Sequence, residues 1–311
     1  MSIIRIEQVV YAVDDIPQCA RFFEDFGLDP VAADAHGAEL ATGVGQRVLL
    51  RGHDAPGLPG PVEEGPTLRE VVWGVDSAES LERLGAELAK DREVTEDAGG
   101  VLHTVDETGF GLGLAVADVR EPEIADPGVN SHRRIGRVNR PLDPPGRVRP
   151  LRLCHVALNI PKEGREQAVA LYLDRLGFRA TDVVEPMGVF MRAAGDADQH
   201  TMLLCHRPDR AGINHTAYEV ASFDDVINGA NHMIESGWRE ARRLGRHTIG
   251  SNFFHYIQDP WGSWFEYYSD IDHIADYSKW EPINYPIEDS LENWGPDLPA
   301  DFAHNYEAPA A

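Results

Sequence analysis

Apolar and polar positions follow one pattern four times along the chain: a strand, an amphipathic helix, then several short strands. The opening strands are IEQVVYAV, LREVVWGV, LRLCHVALNI and INHTAYEVA, and the helices after them are PQCARFFEDF, SAESLERLGAELAKD, EGREQAVALYLDRLGF and SFDDVINGANHMIESGW. Apolar residues recur at helical spacing, as Leu81, Leu84 and Leu88 do in the second helix. Four βαβββ units predict an α+β fold built on sheets.

Capping and turn residues support the boundaries of these units. Residues 15–17 are Asp-Ile-Pro, which is typical of a helix start with proline in the first turn. Asp76 with Glu79 predicts a capping box for the second helix, and Ser222 with Asp225 predicts the start of the fourth. The last two strands, SNFFHYIQ and SWFEYYSD, are joined by the tight-turn sequence DPWG.

The four units pair into two halves. VLHTVDETGFGLGL of the second unit aligns with FFHYIQDPWGSWFE of the fourth. We therefore predict one pair of units over residues 1–120, a Pro/Arg-rich linker over 121–150 and a second pair over 151–270. Residues 271–311 form an aromatic, acidic tail, which we expect to pack on the body because its aromatic side chains favour burial.

Composition narrows the classes of function. The 311 residues are 42% hydrophobic and 26% charged, without an apolar run near the about 18–20 residues of a membrane span. A net charge of −24 opposes binding to nucleic acid or anionic lipid. Three cysteines and an N-terminus unlike a signal peptide favour a reducing cytoplasm.

Three residues of the second half suggest a metal site. His155, His215 and Glu266 each lie in a predicted strand. Two imidazoles and a carboxylate on separate strands make a ligand set that leaves other positions on the ion open. A single histidine on a strand is more often structural, so the argument rests on the three together.

The repeats and the stretch GRHTIGSNFFHYIQDPWGSWFEYY resemble the vicinal oxygen chelate superfamily, and more closely its type I extradiol ring-cleavage dioxygenases. Tyr256 follows His247 by nine residues and Glu266 follows Tyr256 by ten, as in that family. The resemblance covers the architecture of residues 4–270 and is specific over 151–268. It implies two half-barrel domains, each made from a pair of βαβββ units.

The resemblance also implies a site and a reaction. His155, His215 and Glu266 would bind Fe(II), with Mn(II) possible. His200 would move protons beside O2, while His247 and Tyr256 would hydrogen-bond the substrate. The substrates would be a catecholic compound and O2, the product a ring-opened semialdehyde acid, and the protein a homo-oligomer.

The first half is expected to hold no metal, as in that family. In the aligned repeats, Gln8 stands at the position of His155, Glu70 at that of His215 and Gly113 at that of Glu266. Glutamine and glycine cannot replace an imidazole and a carboxylate.

Two alternatives remain open on the same scaffold. One is an isomerase or transferase that uses a divalent metal as a Lewis acid. The other is a binding protein without catalysis. Residues 249–252, Trp261 and Trp264 depart from the common catechol-cleaving pattern, which leaves the substrate undetermined.

Overall fold

The chain folds into two large mixed β-sheets with four α-helices, in a computed structural model that describes residues 2–122, 124, 128–208, 210–300 and 302. The predicted α+β class is confirmed. Residues 301 and 303–311 of the expected tail lie outside the described residues, as do 123 and 125–127 of the expected linker.

The N-terminal sheet has eight strands in the order β2-β3-β4-β1-β5-β8-β7-β6. Their bounds are β1 Ile3–Ala12, β2 Asp29–Ala33, β3 Gly37–Ala41, β4 Arg47–Arg51, β5 Thr67–Val75, β6 Thr95–Glu96, β7 Leu102–Val105 and β8 Gly111–Val116. Two helices, α1 Ile16–Asp25 and α2 Ala78–Leu88, follow β1 and β5. A two-stranded ribbon, β9 Asn130–Ser131 and β10 Arg134–Ile135, lies between the halves.

The C-terminal sheet has nine strands in the order β16-β17-β18-β15-β11-β14-β13-β12-β19. Their bounds are β11 Arg152–Pro161, β12 Arg179–Val184, β13 Gly188–Arg192, β14 Met202–Arg207, β15 Gly212–Glu219, β16 Arg239–Arg246, β17 Phe253–Gln258, β18 Trp264–Ser269 and β19 Ile283–Tyr285. The helices are α3 Arg165–Ala170 and α4 Phe223–Glu235, with single 3₁₀ turns at Tyr277–Lys279 and Ile287–Asp289. Among the described residues, no helix is long and apolar enough to cross a membrane.

Two local predictions differ from the structure. The second helix is capped by Ser77, which accepts from the Ser80 backbone N–H, whereas Asp76 binds the hydroxyl of Ser80 instead. The third helix is α-helical only to Ala170 and continues as a π-turn over Leu171–Arg175. Ser222 caps α4 as expected.

Helix α1 of the first half packs against the second sheet and joins the two halves. Phe26 stacks on Tyr267 with ring centroids 3.9 Å apart, and Phe23 meets Phe265 edge-on at 5.1 Å. The Tyr267 hydroxyl donates to the Phe26 carbonyl. Because side chains alternate along a strand, these contacts hold one face of β18 and leave Glu266 on the other.

The expected linker and tail both contact the body. Arg147 pairs with Asp29 at 3.0 Å and donates to the Leu28 carbonyl. In the tail, β19 pairs with β12 in parallel, and the indole of Trp280 donates to the Thr181 carbonyl. The four-part division of the chain remains a prediction.

The shared core gives a stability prediction. We expect Phe265→Ala to lower the free energy of unfolding by about 3–5 kcal/mol, because a buried phenyl ring is lost and the cavity left does not fully collapse. Urea unfolding followed by circular dichroism measures the change. The control is Phe223→Ala at a ring that is 38% exposed, where less than about 1 kcal/mol is expected. Equal losses of unfolding free energy in the two variants would contradict the inference that Phe265 lies in a core that joins the two halves.

Candidate metal centre and active site

Three adjacent strands bring His155, His215 and Glu266 together. His155 lies on β11, His215 on β15 and Glu266 on β18, and β15 lies between the other two strands. His155 Nε2 is 3.2 Å from His215 Nε2 and 3.2 Å from Glu266 Oε2, and His215 Nε2 is 3.4 Å from that oxygen. All three residues are buried. The sheet therefore places two imidazole nitrogens and a carboxylate oxygen around one point.

A small residue on the middle strand makes this convergence possible. Ala217 of β15 is paired with His155 on one side and with Glu266 on the other. It lies two residues from His215 and so shares its face of the sheet. The small methyl side chain of Ala217 leaves room for the side chains of His155 and Glu266 to approach each other over β15.

Asn214 fixes the hydrogen on His215. The Asn214 amide nitrogen donates to Asn159 Oδ1 and Cys205 Sγ, so its oxygen faces His215 Nδ1, at 2.7 Å. Nδ1 must carry the proton and Nε2 keeps a lone pair. Burial lowers the pKa of His215 to about 3, which keeps this ring neutral.

Glu266 is the fully buried anion of the site. Burial acts to raise its pKa, but the neighbouring imidazoles of His155 and His247 outweigh burial and hold the pKa well below the usual value. Asn252 donates from Nδ2 to Oε1 at 3.1 Å. The carboxylate is therefore ionised and keeps Oε2 directed toward the two imidazoles.

These donors fit a divalent metal ion. The 3.4 Å contact between His215 Nε2 and Glu266 Oε2 joins two lone pairs, which repel unless a cation lies between them. Two ligand atoms that are each about 2.1 Å from one ion and at a right angle lie about 3 Å apart. The three observed separations are close to this value. The group therefore has the chemistry and the spacing to hold a metal ion.

His200 lies beside the three candidate ligands. Its ring centroid is 4.4 Å from that of His155, and the ring of Phe190 meets it edge-on at 5.1 Å. Burial, followed by the neighbouring His155, lowers the pKa of His200 well below its usual value. A neutral imidazole in this position can take up a proton from a bound molecule.

His247 and Tyr256 form a second polar pair in the same pocket. His247 Nδ1 donates to the Leu291 carbonyl at 2.6 Å, which leaves Nε2 to accept from the Tyr256 hydroxyl at 3.1 Å. Burial and the charge of Glu266 raise the pKa of Tyr256 well above its usual value. The phenol therefore stays protonated and is a hydrogen-bond donor.

All six residues predicted from the sequence line one cavity of about 50 Å³. The remaining lining residues were not predicted: Phe190, Leu203, Arg242, Ile249, Ser290, Leu291 and Phe302. Phe302 also lines an adjoining cavity of about 130 Å³. The aromatic side chain of Phe302 within a polar tail indicated that the tail packs on the body, but it did not indicate that the tail reaches this cavity.

Arg242 is a further residue that the sequence did not single out. It is only 2% exposed, its Nη2 pairs with Glu292 at 2.7 Å, and its guanidinium lies 4.4 Å over the ring of Phe254. Its Nε is buried and has no hydrogen-bond partner within the described part of the chain. No spacing in the strand REARRLGR distinguishes it from the neighbouring arginines.

The first half has the same strand registers without the ligands. Val72 pairs with Gln8 and with Gly113, as Ala217 pairs with His155 and Glu266. A Cβ at Gly113 would lie 2.7 Å from the Val72 side chain, so a glutamate there would not fit. Glu70 bonds to His103 at 2.7 Å instead. Among the described residues, a metal-type donor cluster is found in the second half alone.

Comparison with known proteins agrees with this geometry. Residues 152–267 match the profile of the Glyoxalase/Bleomycin resistance protein/Dioxygenase superfamily. The chain is also 41% identical over 162 residues to metapyrocatechase 2 of Cupriavidus necator, a match that covers 52% of this chain and 50% of that relative. It therefore spans about half the length of that relative.

Solved structures show that the whole fold is shared. A Mn(II)-bound glyoxalase from Novosphingobium aromaticivorans superposes with a TM-score of 0.78 at 24% identity, covering 100% of this chain and 97% of that one. An extradiol ring-cleaving dioxygenase from B. fuscum superposes with a TM-score of 0.73 at 19% identity, covering 96% and 81%. At these identities the likeness concerns the fold.

The spacing role of Ala217 can be tested by adding two methyl groups. We expect Ala217→Val to lower the affinity for Mn²⁺ by about tenfold or more, because overpacking between His155 and Glu266 separates them. Titration with Mn²⁺ followed by electron paramagnetic resonance measures the affinity. Ala230→Val, at an equally buried alanine of α4, serves as the control and should keep the wild-type affinity. Wild-type affinity in both variants would show that Ala217 is not the spacer.

Proposed function

We propose that this protein is an extradiol ring-cleaving dioxygenase that inserts both atoms of O2 into a catecholic substrate and releases a ring-opened semialdehyde-type product. The observation that carries the proposal is a single pocket that holds a three-donor centre together with His200, His247 and Tyr256. The likeness to metapyrocatechase 2 supports the same activity. We further propose Fe(II) as the metal, with Mn(II) as the alternative that the same donors accept.

In this proposal His155, His215 and Glu266 hold the ion. A bound Fe(II) would supply the redox chemistry that lets a catechol react with O2. Three protein ligands leave other positions of the ion for the two substrate oxygens and O2. Two neutral imidazoles and one carboxylate carry a single negative charge in total. With a divalent ion bound, the site would therefore have a net positive charge, which favours an anionic catecholate.

The other polar residues would handle protons and orientation. His200 is a neutral imidazole beside the centre and would accept the proton that the catechol loses, then return it as the O–O bond breaks. Without substrate, the single O–H of Tyr256 donates to His247 Nε2, and it would turn to a substrate oxygen when the substrate binds. The aromatic walls from Phe190 and Phe302 limit the entry of water.

We also propose a role for the N-terminal half, a location and an assembly state. The N-terminal half holds no metal and serves as a scaffold. The protein acts in the cytoplasm as a homo-oligomer and does not bind nucleic acid. A metal-dependent isomerase or transferase, or a binding protein without catalysis, would be built on the same scaffold, and the first experiment below separates them.

The reaction class is tested with the metal and a substrate panel. The protein is loaded anaerobically with Fe(II), mixed with a set of catechols in air, and followed by absorbance and an oxygen electrode. We expect a yellow product and matching O2 uptake with at least one catechol. Metal retention with neither signal would instead favour a Lewis-acid enzyme, and failure to bind metal would favour the binding protein.

The division of roles is tested by two histidine variants. We expect His200→Ala to retain iron but to lose about 10²–10⁴-fold in turnover, because only proton transfer is removed. His215→Ala should lose the iron itself, because a ligand is removed. Iron content by a colorimetric chelator and turnover by oxygen uptake measure the two effects. Wild-type turnover in His200→Ala would refute the catalytic role of His200.

A further inference from the structure

His200 stands at the end of a buried chain of hydrogen bonds that leads away from the pocket. Its Nδ1 is 2.6 Å from Gln199 Oε1, and Gln199 Nε2 donates to Asp182 Oδ2 at 2.7 Å. The other oxygen of Asp182 accepts from the backbone N–H of Ile283 at 2.8 Å. Gln199 is fully buried and Asp182 is 2% exposed, so water does not compete along the chain.

The direction of each hydrogen bond in this chain follows from the end that is farther from His200, at Ile283 and Asp182. The backbone N–H of Ile283 can only donate, so Oδ1 of Asp182 accepts. Burial raises the pKa of Asp182 to about 6, so at pH 7 and above the carboxylate is ionised and its Oδ2 also only accepts. Gln199 must then turn its amide nitrogen toward Asp182 and its carbonyl oxygen toward His200. A carbonyl accepts only, and His200 therefore carries its proton on Nδ1 and keeps a lone pair on Nε2.

Packing confines the His200 ring in this orientation. A Cβ at Gly250 would lie 3.3 Å from His200 Cε1 and 3.4 Å from Gln199 Oε1, so the Gly250 backbone packs directly over their hydrogen bond. Gly250 has a φ of +81°, which other residues rarely adopt. Phe190 packs edge-on against the ring from another direction.

We propose that Gln199 is a positioning residue, held by Asp182 and by the backbone of β19, that fixes the tautomer and ring orientation of His200 so that its Nε2 is free to accept a proton. The proposal rests on the function proposed above. Gln199 itself is absent from the pocket lining and acts only through His200. Loss of such an outer partner of an active imidazole typically costs about 10–100-fold in activity.

The first test measures the tautomer of His200 directly. Full-length protein with ¹⁵N-labelled histidine is loaded with diamagnetic Zn²⁺, and long-range ¹H–¹⁵N correlation spectra identify which ring nitrogen carries the proton, with His200→Ala assigning the signal. We expect His200 to be protonated on Nδ1 in the wild type and to lose this fixed state in Gln199→Leu. Gln258→Leu, the same change at a glutamine that is 1% exposed, should leave it intact.

The second test reads turnover on the Fe(II)-loaded protein. We expect Gln199→Leu to lower kcat by about 10–100-fold with little change in KM and in metal content, whereas Gln258→Leu stays near wild type. Gln199→Glu keeps an acceptor for His200 Nδ1 and should retain its tautomer, which provides a second variant if the leucine variant does not fold.

Two results would overturn the proposal: protonation of wild-type His200 on Nε2, or a Gln199→Leu protein with unchanged tautomer and unchanged kcat. Since the spectra need no catechol, they test the role of Gln199 even if the wild type cleaves no catechol. A wild type that cleaves no catechol would count against the proposed function and not against the hydrogen-bond chain.

Discussion

The site depends on one electrostatic constraint: a fully buried carboxylate, Glu266, directed at the lone pair of a neutral imidazole. A buried anion is costly unless it is paired, and His215 cannot supply a proton because Asn214 holds its proton on the other nitrogen. Asn252 and His155 compensate only part of the charge. The arrangement is therefore poised for a cation, and the nine-stranded sheet holds the three donors in place for it.

The two halves share strand registers, but the constraint is present in the second half only among the described residues. Both halves have the same registers, so the positions of Gln8, Glu70 and Gly113 correspond to the three donors. Gln8 and Gly113 lack the donor groups, and between them Val72 occupies the place of Ala217. A valine with a glycine opposite fills the space that the ligands need. The first half instead contributes α1, whose phenyl rings support the far face of β18.

Much of the fold and the donor set could be predicted from the sequence because both are local patterns. The apolar pattern and the DPWG turn located the last two strands, and the intervals between His247, Tyr256 and Glu266 carried the family resemblance. The contribution of Leu291 and Phe302 could not be predicted, because it depends on where a tail without periodicity crosses the sheet. Arg242 could not be singled out because it lies among other arginines on β16. Likewise Ser77 caps α2 in place of Asp76, since the choice between neighbouring cap residues depends on backbone geometry.

The tail shows why backbone groups suit the control of proton positions. The Leu291 carbonyl accepts from His247 Nδ1, and the Ile283 N–H donates into the Asp182–Gln199 chain that ends at His200. A carbonyl cannot donate and an amide N–H cannot accept, so the Leu291 carbonyl fixes the proton of His247 on Nδ1, and the Ile283 N–H keeps Asp182 Oδ1 an acceptor. The polarity of the Asp182–Gln199 chain is fixed while Asp182 is ionised. A side chain at either place would bring rotamers and a second possible direction. One segment of main chain can thus define the proton state of two imidazoles that lie in the same pocket.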